Sequence, residues 1–353
     1  MLPLSHDLLQ WLRSSPSHWQ GLRLRTRAQL RWNSHWNTVN LRLSQARLPH
    51  PVGEEPAPWL ILGCWRSGTT VMHELLSAAT GLPTPRTWQC MSACSFALLG
   101  TPPRSTAVAR PMDGLQIGPL SPQEDEFALL SMGADSAYRG FLMPGRLPEL
   151  THTLEASHWL QDGAWLSRLE TFLALCRASS GAPTGAMLLK SPNHSFRLQA
   201  LRARWPEARV VWMLRDPAEI FLSNRKMWRQ MMDTHQLPGA PALAPEALDA
   251  FLAEALRQCA QQLRWLSTQP DPHWHVCSQE ALKAEPGPTV DRVLAAMAPD
   301  CVPDATRLAQ AITLTSSGRI ERYETAPPAL ARQAIDELRA AQDDALARQA
   351  ARR

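Results

Sequence analysis

A glycine-rich segment near residue 65 carries residues of the types that bind phosphate. Gly63, Gly68, Thr69 and Thr70 occur in the order Gly-x-x-x-x-Gly-Thr-Thr. This is the spacing of a loop whose backbone amides enclose phosphate oxygens. A helix that begins directly after such a loop adds further N–H donors and a favourable dipole. The segment therefore predicts a binding site for a phosphorylated nucleotide.

The same loop departs from that of ordinary nucleoside triphosphatases. Thr69 stands where those proteins carry the lysine that pairs with the β- and γ-phosphates. The apolar run 209–214 is followed by Arg215 rather than by the acidic residue that holds magnesium. Arg66 lies inside the loop, and a guanidinium binds an oxyanion through two parallel N–H groups. These residues predict an anionic ligand that is held without a metal.

Three short apolar runs end at residues able to bind an anion. Residues 59–62 lead into the loop, residues 186–189 end at Lys190, and residues 209–214 end at Arg215. Such runs are typical of strands that are buried on both faces. Because ligands of parallel sheets bind at the carboxyl ends of the strands, we expect the loop, the lysine and the arginine to meet.

The rest of the chain predicts helices around this sheet. A fourth strand is expected at 274–277, and alternating strands and helices predict a three-layer α/β/α fold with a central, mostly parallel sheet. Four prolines between residues 48 and 58 mark a linker, so we divide the chain into an N-terminal helical extension (1–50) and a main domain (51–353). Helices are predicted at 5–47, 69–80, 150–178, 194–204, 218–232, 246–267 and, on the surface, from 328 onward, with loops and short helices at 82–125.

The composition is that of an ordinary globular protein. The 353 residues are 44% hydrophobic and 19% charged, enough for one large α/β core. The net charge of +4 suits a small anionic ligand and is too low to indicate nucleic acid. The seven cysteines lack the paired spacing of a zinc site, so reduced thiols in a cytoplasmic protein are the simpler interpretation.

The N-terminal segment lacks the layout of a signal peptide. No apolar run is long enough to span a bilayer, so we expect a cytoplasmic chain without a transmembrane segment. Residues 5–47 are rich in arginine and tryptophan. The favoured interpretation is an extension that packs over the core, and the alternative is an arm that faces the substrate or a membrane surface.

Four segments, in order between residues 59 and 232, resemble sulfotransferases that use 3′-phosphoadenosine 5′-phosphosulfate. Residues 65–70 resemble the 5′-phosphosulfate loop of that family. Residues 189–194 are similar to the Lys-Ser-Pro-x-His element of its bacterial and Golgi-type branch, and residues 122–127 resemble an acidic segment of the same branch. Residues 209–223 resemble the 3′-phosphate element.

The resemblance implies a P-loop-like fold, a nucleotide co-substrate and no metal. Sulfuryl transfer depends on positioning and electrostatic stabilisation, which protein groups supply. The implied acceptor is a hydroxyl, or less favourably an amine, of a small molecule, lipid or carbohydrate. The implied roles are stabilisation of the bridging and sulfuryl oxygens by Arg66 and Lys190, binding of the 5′-phosphate by Ser67, Gly68, Thr69 and Thr70, and binding of the 3′-phosphate by Arg215 and Ser223.

The general base is not where the resemblance places it. Gln89 stands where related enzymes often carry a glutamate, and a neutral amide cannot accept the proton. The candidates for this role are Glu124, Glu126 and His194. Residues 278–282 and 316–323 stand in for two downstream elements of the family, of which the second would contact the nucleotide.

Two other hypotheses stay open on the sequence alone. A P-loop kinase or nucleotide hydrolase shares the loop spacing, although Thr69 in place of the lysine argues against it. A catalytically silent nucleotide-binding protein is compatible with Gln89.

Overall fold

The computed structural model describes residues 6–48, 56–109, 116–180, 185–315 and 326–352. A parallel sheet of four strands lies at its centre, in the order β2-β1-β3-β4. The parallel sheet that the sequence predicts is confirmed. The strands are β1 Trp59–Leu62, β2 Leu188–Lys190, β3 Arg209–Leu214 and β4 Trp274–Ser278.

The register of β1 brings the three predicted strand ends together. This strand lies between β2 and β3, with Ile61 opposite Lys190 and Leu62 opposite Trp212. The loop that follows β1 is therefore flanked by Lys190 on one side and by Arg215 on the other. Because these strands are parallel neighbours, the loop, Lys190 and Arg215 lie at the same edge of the sheet.

Alternate residues of β1 enter two different hydrophobic cores. Leu60 and Leu62 pack in the larger core, whereas Trp59 and Ile61 pack in the smaller one. Because successive strand residues point to opposite faces, the two cores lie on opposite faces of the sheet. This arrangement is the three-layer α/β/α architecture that the sequence predicts.

Three N-terminal helices replace the single predicted stretch 5–47. They are interrupted at Ser14–Ser15, where Pro16 begins the second helix, and again at Leu22–Arg23. Leu8, Leu12 and Leu30 are buried in the larger core, so the extension packs as expected. The helices are α1 His6–Arg13, α2 Pro16–Gly21 and α3 Leu24–Gln45.

The main domain follows the predicted sequence of helices, with more breaks between residues 144 and 180. A 3₁₀ segment, Pro144–Leu154, comes before two helices there, and shorter 3₁₀ turns occur at Pro192–Ser195 and Ala329–Ala331. Val108–Ala109 pairs antiparallel with Gln116–Ile117. None of the described helices combines the length and apolar character needed to cross a bilayer. The helices are α4 Thr69–Thr80, α5 Thr87–Met91, α6 Phe96–Leu99, α7 Glu126–Ser131, α8 Arg139–Leu142, α9 Ala156–Gln161, α10 Gly163–Ser180, α11 Leu198–Arg204, α12 Pro217–His235, α13 Pro245–Ser267, α14 Gln279–Ala284, α15 Pro286–Met297, α16 Ala305–Thr315 and α17 Arg332–Ala351.

The C-terminal helix α17 is more than the surface helix that the sequence predicts. Ile335, Leu338 and Ala341 are buried in the larger core. Gln349 covers the edge strand β4, because its side-chain oxygen accepts from Val276 N (2.6 Å) and its amide donates to Val276 O (3.1 Å). The contact face is rich in alanine, which gives a weak hydrophobic pattern in the sequence, and this is why the burial was not predicted.

Candidate active site

The loop after β1 needs glycine at its first position. Gly63 has φ +134°, and a Cβ atom there would lie 2.6 Å from Ser67 Oγ and 2.7 Å from the Met213 carbonyl oxygen. Both distances are shorter than any real Cβ contact, so a side chain at this position would displace the loop from β3. The loop can therefore pass close to the neighbouring strand only with Gly63.

Arg66 adopts the left-handed conformation, with φ +70°, which is uncommon for a residue other than glycine. Two side chains from the region of α12 hold this turn. Arg215 Nη1 donates to the Arg66 carbonyl oxygen (2.9 Å), and Asn224 Nδ2 donates to the Trp65 carbonyl oxygen (3.0 Å). The loop is thus fixed in one conformation by the element that the sequence assigns to the 3′-phosphate.

The N-terminus of α4 has the donors of an anion site. The first N–H groups of a helix have no acceptor within the helix, and Gly68 provides no side-chain cap for α4. Thr69 is buried at this end, and Thr70 Oγ1 lies 3.5 Å from Lys190 Nζ. The Ser67 hydroxyl donates to the Cys64 carbonyl oxygen (2.7 Å), a contact within the loop.

Lys190 and Glu124 form a buried pair beside the loop. Lys190 is only 1% exposed, and its Nζ lies 2.6 Å from Glu124 Oε1. Tyr138 donates to the other oxygen, Oε2, at 2.9 Å. Burial, with the charge of Glu124, raises the pKa of the Tyr138 hydroxyl well above its usual value, so the tyrosine stays a donor. The structure therefore joins the predicted lysine to one of the three candidate bases.

A group of cations lies on the other side of the loop. Arg66 Nε donates to the buried Ser223 Oγ (3.1 Å), and Arg215 pairs with Glu219 one helical turn away (2.8 Å). Burial, together with the charges of Arg215 and Arg66, lowers the pKa of the Lys283 ammonium in α14, so this lysine adds to the positive charge near the loop. A site of clustered positive charge favours an anionic ligand.

Lys283 was missed by the sequence argument. The only available signal was its place in the short helix after the fourth strand, five residues beyond the end of that strand.

Glu126 lies in the packed interior. Its oxygens accept from Arg197 Nη1 (2.5 Å) and Nη2 (3.0 Å), and Ser136 Oγ donates to Oε1 (2.5 Å). The Arg197 guanidinium lies 4.1 Å from the centre of the Trp159 ring. With no exposed surface and strong donors on both oxygens, this carboxylate has no route to an acceptor hydroxyl in this conformation.

His194 is likewise enclosed. Its Nε2 lies 2.9 Å from Asp125 Oδ2, and both side chains are fully buried. Of the three candidate bases, Glu124 is therefore the one placed beside Lys190. The consecutive residues of the acidic segment point to different partners: Glu124 to Lys190, Asp125 to His194 and Glu126 to Arg197.

Both ends of the Gln89 side-chain amide form hydrogen bonds within the protein. Its side-chain oxygen accepts from Arg86 N (2.8 Å) at the start of α5, and its amide donates to Ser179 Oγ (2.8 Å). This buried amide caps the helix and bonds to α10. The position that matches the family's glutamate therefore stabilises local structure in this chain.

The segment 278–282 borders the loop. Ser278 Oγ accepts from Ala281 N (3.0 Å) and caps α14. The Gln279 side chain lies over Gly68, 3.1 Å from where a Cβ atom would stand. Residues 316–323, the segment predicted to contact the nucleotide, lie outside the described residues.

Comparison with known proteins gives one family. A sequence profile described as "Sulfotransferase family" matches residues 58–304. The chain is 28% identical, over 184 residues, to omega-hydroxy-beta-dihydromenaquinone-9 sulfotransferase Stf3 of Mycobacterium bovis, and the same figures hold for its counterpart in Mycobacterium tuberculosis. The match covers 51% of this chain and 47% of the relative, so the chain spans about half the length of the curated relatives it matches.

Solved structures give the same fold over nearly the whole chain. Sulfotransferase STF9 from Mycobacterium avium superposes with a TM-score of 0.62 at 18% identity, covering 97% of this chain and 95% of that one. Sulfotransferase STF1 from Mycobacterium tuberculosis H37Rv gives a TM-score of 0.59 at 16% identity, covering 94% and 90%. At these identities the likeness is one of fold.

Proposed function

The chain belongs to the sulfotransferase family, and from this we propose that it transfers a sulfuryl group from 3′-phosphoadenosine 5′-phosphosulfate to a hydroxyl group of a lipid. The observation that carries the choice of donor is the convergence of three strand ends, which places the glycine-rich loop between Lys190 and Arg215. Cations on both sides of one amide-lined loop suit a ligand with two separate anionic groups. The proposed donor carries a 3′-phosphate apart from its 5′-phosphosulfate, whereas ATP carries a single 5′-triphosphate.

The proposed step is a displacement at sulfur. The acceptor oxygen forms a bond to sulfur while the bond from sulfur to the 5′-phosphate oxygen breaks, and adenosine 3′,5′-bisphosphate leaves. The hydroxyl proton passes to Glu124. Lys190 and Arg66 would offset the negative charge that develops on the leaving oxygen, and the amides of α4 would hold the 5′-phosphate.

The other side of the loop would bind the 3′-phosphate. Ser223, Arg215 and Lys283 supply a hydroxyl and two cations there, and Arg66 bonds directly to Ser223. Ligand binding at this side would thus be transmitted to the residue that stabilises the leaving group. This linkage supports a donor that carries a 3′-phosphate.

We expect calorimetry to show selective binding of adenosine 3′,5′-bisphosphate. ATP, which lacks the 3′-phosphate, should bind at least about tenfold more weakly, since one charge-assisted hydrogen bond contributes roughly 1.5–3 kcal/mol. Arg66→Ala should weaken the bisphosphate, and Arg204→Ala, which removes a surface arginine paired with Glu170, should not. Equal binding of ATP, with activity that requires magnesium, would support a kinase or hydrolase instead.

A lipid acceptor is supported by two observations. The relatives from Mycobacterium are named for a menaquinone-derived acceptor. In this chain, Trp32 and Trp36 of α3 are 70% and 56% exposed and stack with their ring centroids 6.4 Å apart. Exposed tryptophans are unusual on a soluble surface and typical of membrane interfaces.

The charge of α3 favours the same interpretation. This helix contains four arginines and no acidic residue, and Leu43 extends the exposed row that Trp32 and Trp36 begin. Residues that are four and eleven positions apart share one helix face. An apolar row with flanking arginines suits the surface of an anionic bilayer, where each arginine adds about 1 kcal/mol. We therefore assign α3 to peripheral contact with the membrane that holds the acceptor.

Vesicle sedimentation tests this assignment. The full chain should bind vesicles that contain phosphatidylglycerol and bind purely zwitterionic vesicles weakly, with the difference reduced by salt. We expect a double variant, Trp32→Ala with Trp36→Ala, to lose at least about tenfold in affinity, because two interfacial side chains leave the membrane. The matched control changes two other exposed apolar residues, Leu160→Ala with Val302→Ala. Equal loss in the control, or none in the tryptophan variant, contradicts the assignment.

The compartment is part of the proposal. All seven cysteines are free, six of them buried. Reduced thiols in this number are typical of the cytoplasm, where disulfides are rare. They support action at the cytoplasmic face of a membrane.

A further inference from the structure

Three side chains of metal-binding type converge outside the candidate active site. Asp135 follows α7, His152 lies in the segment Pro144–Leu154, and His158 lies in α9. Each offers one ligand atom, and these atoms lie within 4.8 Å of one another. We propose that Asp135, His152 and His158 bind one divalent ion of the zinc class, which braces the turn that holds the acidic segment.

The two oxygens of Asp135 have different surroundings. Oδ1 accepts from Ser136 N (3.0 Å) and pairs with Arg139 Nη1 (2.7 Å). Oδ2 faces both histidines, 2.6 Å from His152 Nε2 and 3.4 Å from His158 Nε2. One oxygen is therefore satisfied by the protein's own donors, while the other is shared by two imidazoles.

The outer contact of His152 matches that of a metal ligand. Its Nδ1 lies 2.8 Å from the Glu149 carbonyl oxygen, which can only accept, so Nδ1 carries a hydrogen. In the neutral ring, Nε2 then presents a lone pair toward Asp135. A backbone carbonyl at the far nitrogen is the usual support of a metal-bound histidine.

The position of His158 favours a bound ion over a simple ion pair between His152 and Asp135. An imidazolium on His152 would by itself explain the short contact with Asp135. It would not explain a second ring whose Nε2 is buried without a hydrogen-bond partner and faces the same oxygen. An ion shared by the three groups would satisfy all of them.

The distances suit a small tetrahedral ion. Ligand atoms about 2.0–2.1 Å from such an ion are roughly 3.3 Å from one another. The pair at 3.4 Å already fits, and the pair at 2.6 Å must open by less than about 1 Å. Imidazole and carboxylate ligands suit zinc, cobalt and nickel, and the half-exposed His152 leaves room for water as a fourth ligand. Arg139 offsets part of the carboxylate charge, so we expect moderate affinity.

The turn that carries Asp135 also supports the acidic segment. The Asp135 carbonyl oxygen accepts from Arg197 Nη2 (3.0 Å), and Arg197 pairs with Glu126. Next in the chain, Ser136 Oγ donates to the same Glu126, and Tyr138 donates to Glu124. An ion at Asp135 would stabilise this turn and act as a structural brace.

The proposed site departs from the sequence expectation of no metal. The only trace in the sequence is the pair His152 and His158, six positions apart, and this spacing has no meaning until the fold brings Asp135 beside them. The cysteine pattern, which guided the expectation, has no part in the site.

The test uses the full chain without a histidine tag, after treatment with a chelator. Calorimetry should show one Zn²⁺ per chain, and Co²⁺ should give a visible absorption band of a protein-bound ion. We expect His152→Ala and His158→Ala each to weaken Zn²⁺ binding at least about tenfold. Loss of a residue that only supports a metal ligand already costs about 10–100-fold in affinity, and these variants remove a ligand itself. At the same Zn²⁺ concentration, the rise in melting temperature should be larger for the unmodified chain than for either variant.

His273→Ala is the matched control. This histidine also pairs with one carboxylate, Glu207, at 3.2 Å, and it lies outside the cluster. The control should bind Zn²⁺ like the unmodified chain. No saturable binding by the unmodified chain, or an equal loss in His273→Ala, would overturn the proposal. Circular dichroism of His152→Ala, whose side chain is partly exposed, checks that any loss does not reflect unfolding.

Discussion

Replacing Lys190 with alanine should lower kcat by about 10²–10³-fold, the usual cost of removing one preorganised donor from a developing negative charge. The Lys190 ammonium is almost completely buried at the end of β2, beside Thr70 at the start of α4. Because the side chain is only 1% exposed, water has little access with which to replace its charge. The measurement is the single-turnover rate of sulfate transfer with the donor at saturation. A rate within tenfold of that of the unmodified chain would contradict the role.

The structure also shows why this variant needs a control for folding. Lys190→Ala leaves the Glu124 carboxylate with Tyr138 as its remaining named partner, and an uncompensated buried charge is destabilising. A double variant, Lys190→Met with Glu124→Gln, removes both charges. We expect it to regain much of the free energy of unfolding and none of the activity. Recovery of activity together with stability would contradict the proposed roles of both Lys190 and Glu124.

The sheet and the loop could be predicted because their signals are local. The run 59–62 is apolar at every position, and the glycine spacing that follows it fixes a backbone shape at Gly63. The alternation of strands and helices predicts a parallel sheet, in which the carboxyl ends of the strands lie at the same edge. The same local reasoning found Lys190 and Arg215, since each comes directly after an apolar run.

The sequence could not distinguish the roles of residues whose partners lie far away in the chain. Glu124, Asp125 and Glu126 are adjacent and chemically similar, yet they pair with Lys190, His194 and Arg197. The partners lie more than sixty positions away, and the turn that orients them is set by tertiary packing. Sequence reasoning therefore left Glu124, Glu126 and His194 as candidate bases, whereas the geometry favours Glu124.

Two further features were hidden for the same physical reason. Lys283 joins Arg66 and Arg215 only because α14 packs beside the loop. The alanine-rich pattern of α17 predicts a surface helix, although one face of this helix is buried against α13 and belongs to the core. In each case the information lies in which elements touch, and a single sequence does not carry it.

Removing the carboxylate of Glu124 should give the second large effect. Glu124→Gln keeps the side-chain shape and an oxygen that accepts from Tyr138, but it removes the group that would take the acceptor proton. We expect kcat to fall by about 10²–10⁴-fold, the usual contribution of a general base, with the affinity for adenosine 3′,5′-bisphosphate unchanged within about twofold. Rapid-quench kinetics and calorimetry measure the two quantities separately.

Glu126→Gln is the matched comparison, because it makes the same chemical change two residues away. Here the variant leaves Arg197 buried without its carboxylate, which should lower the free energy of unfolding by about 3–5 kcal/mol. Per folded molecule, its kcat should stay within about tenfold of the original, since Glu126 has no exposed surface through which to meet an acceptor. If Glu126→Gln lost catalysis while Glu124→Gln kept it, the base would lie in the interior and the acidic segment would have to move during the reaction. The proposed roles of the two glutamates therefore depend on this pair of measurements, which separates the loss of a proton acceptor from the loss of a buried ion pair.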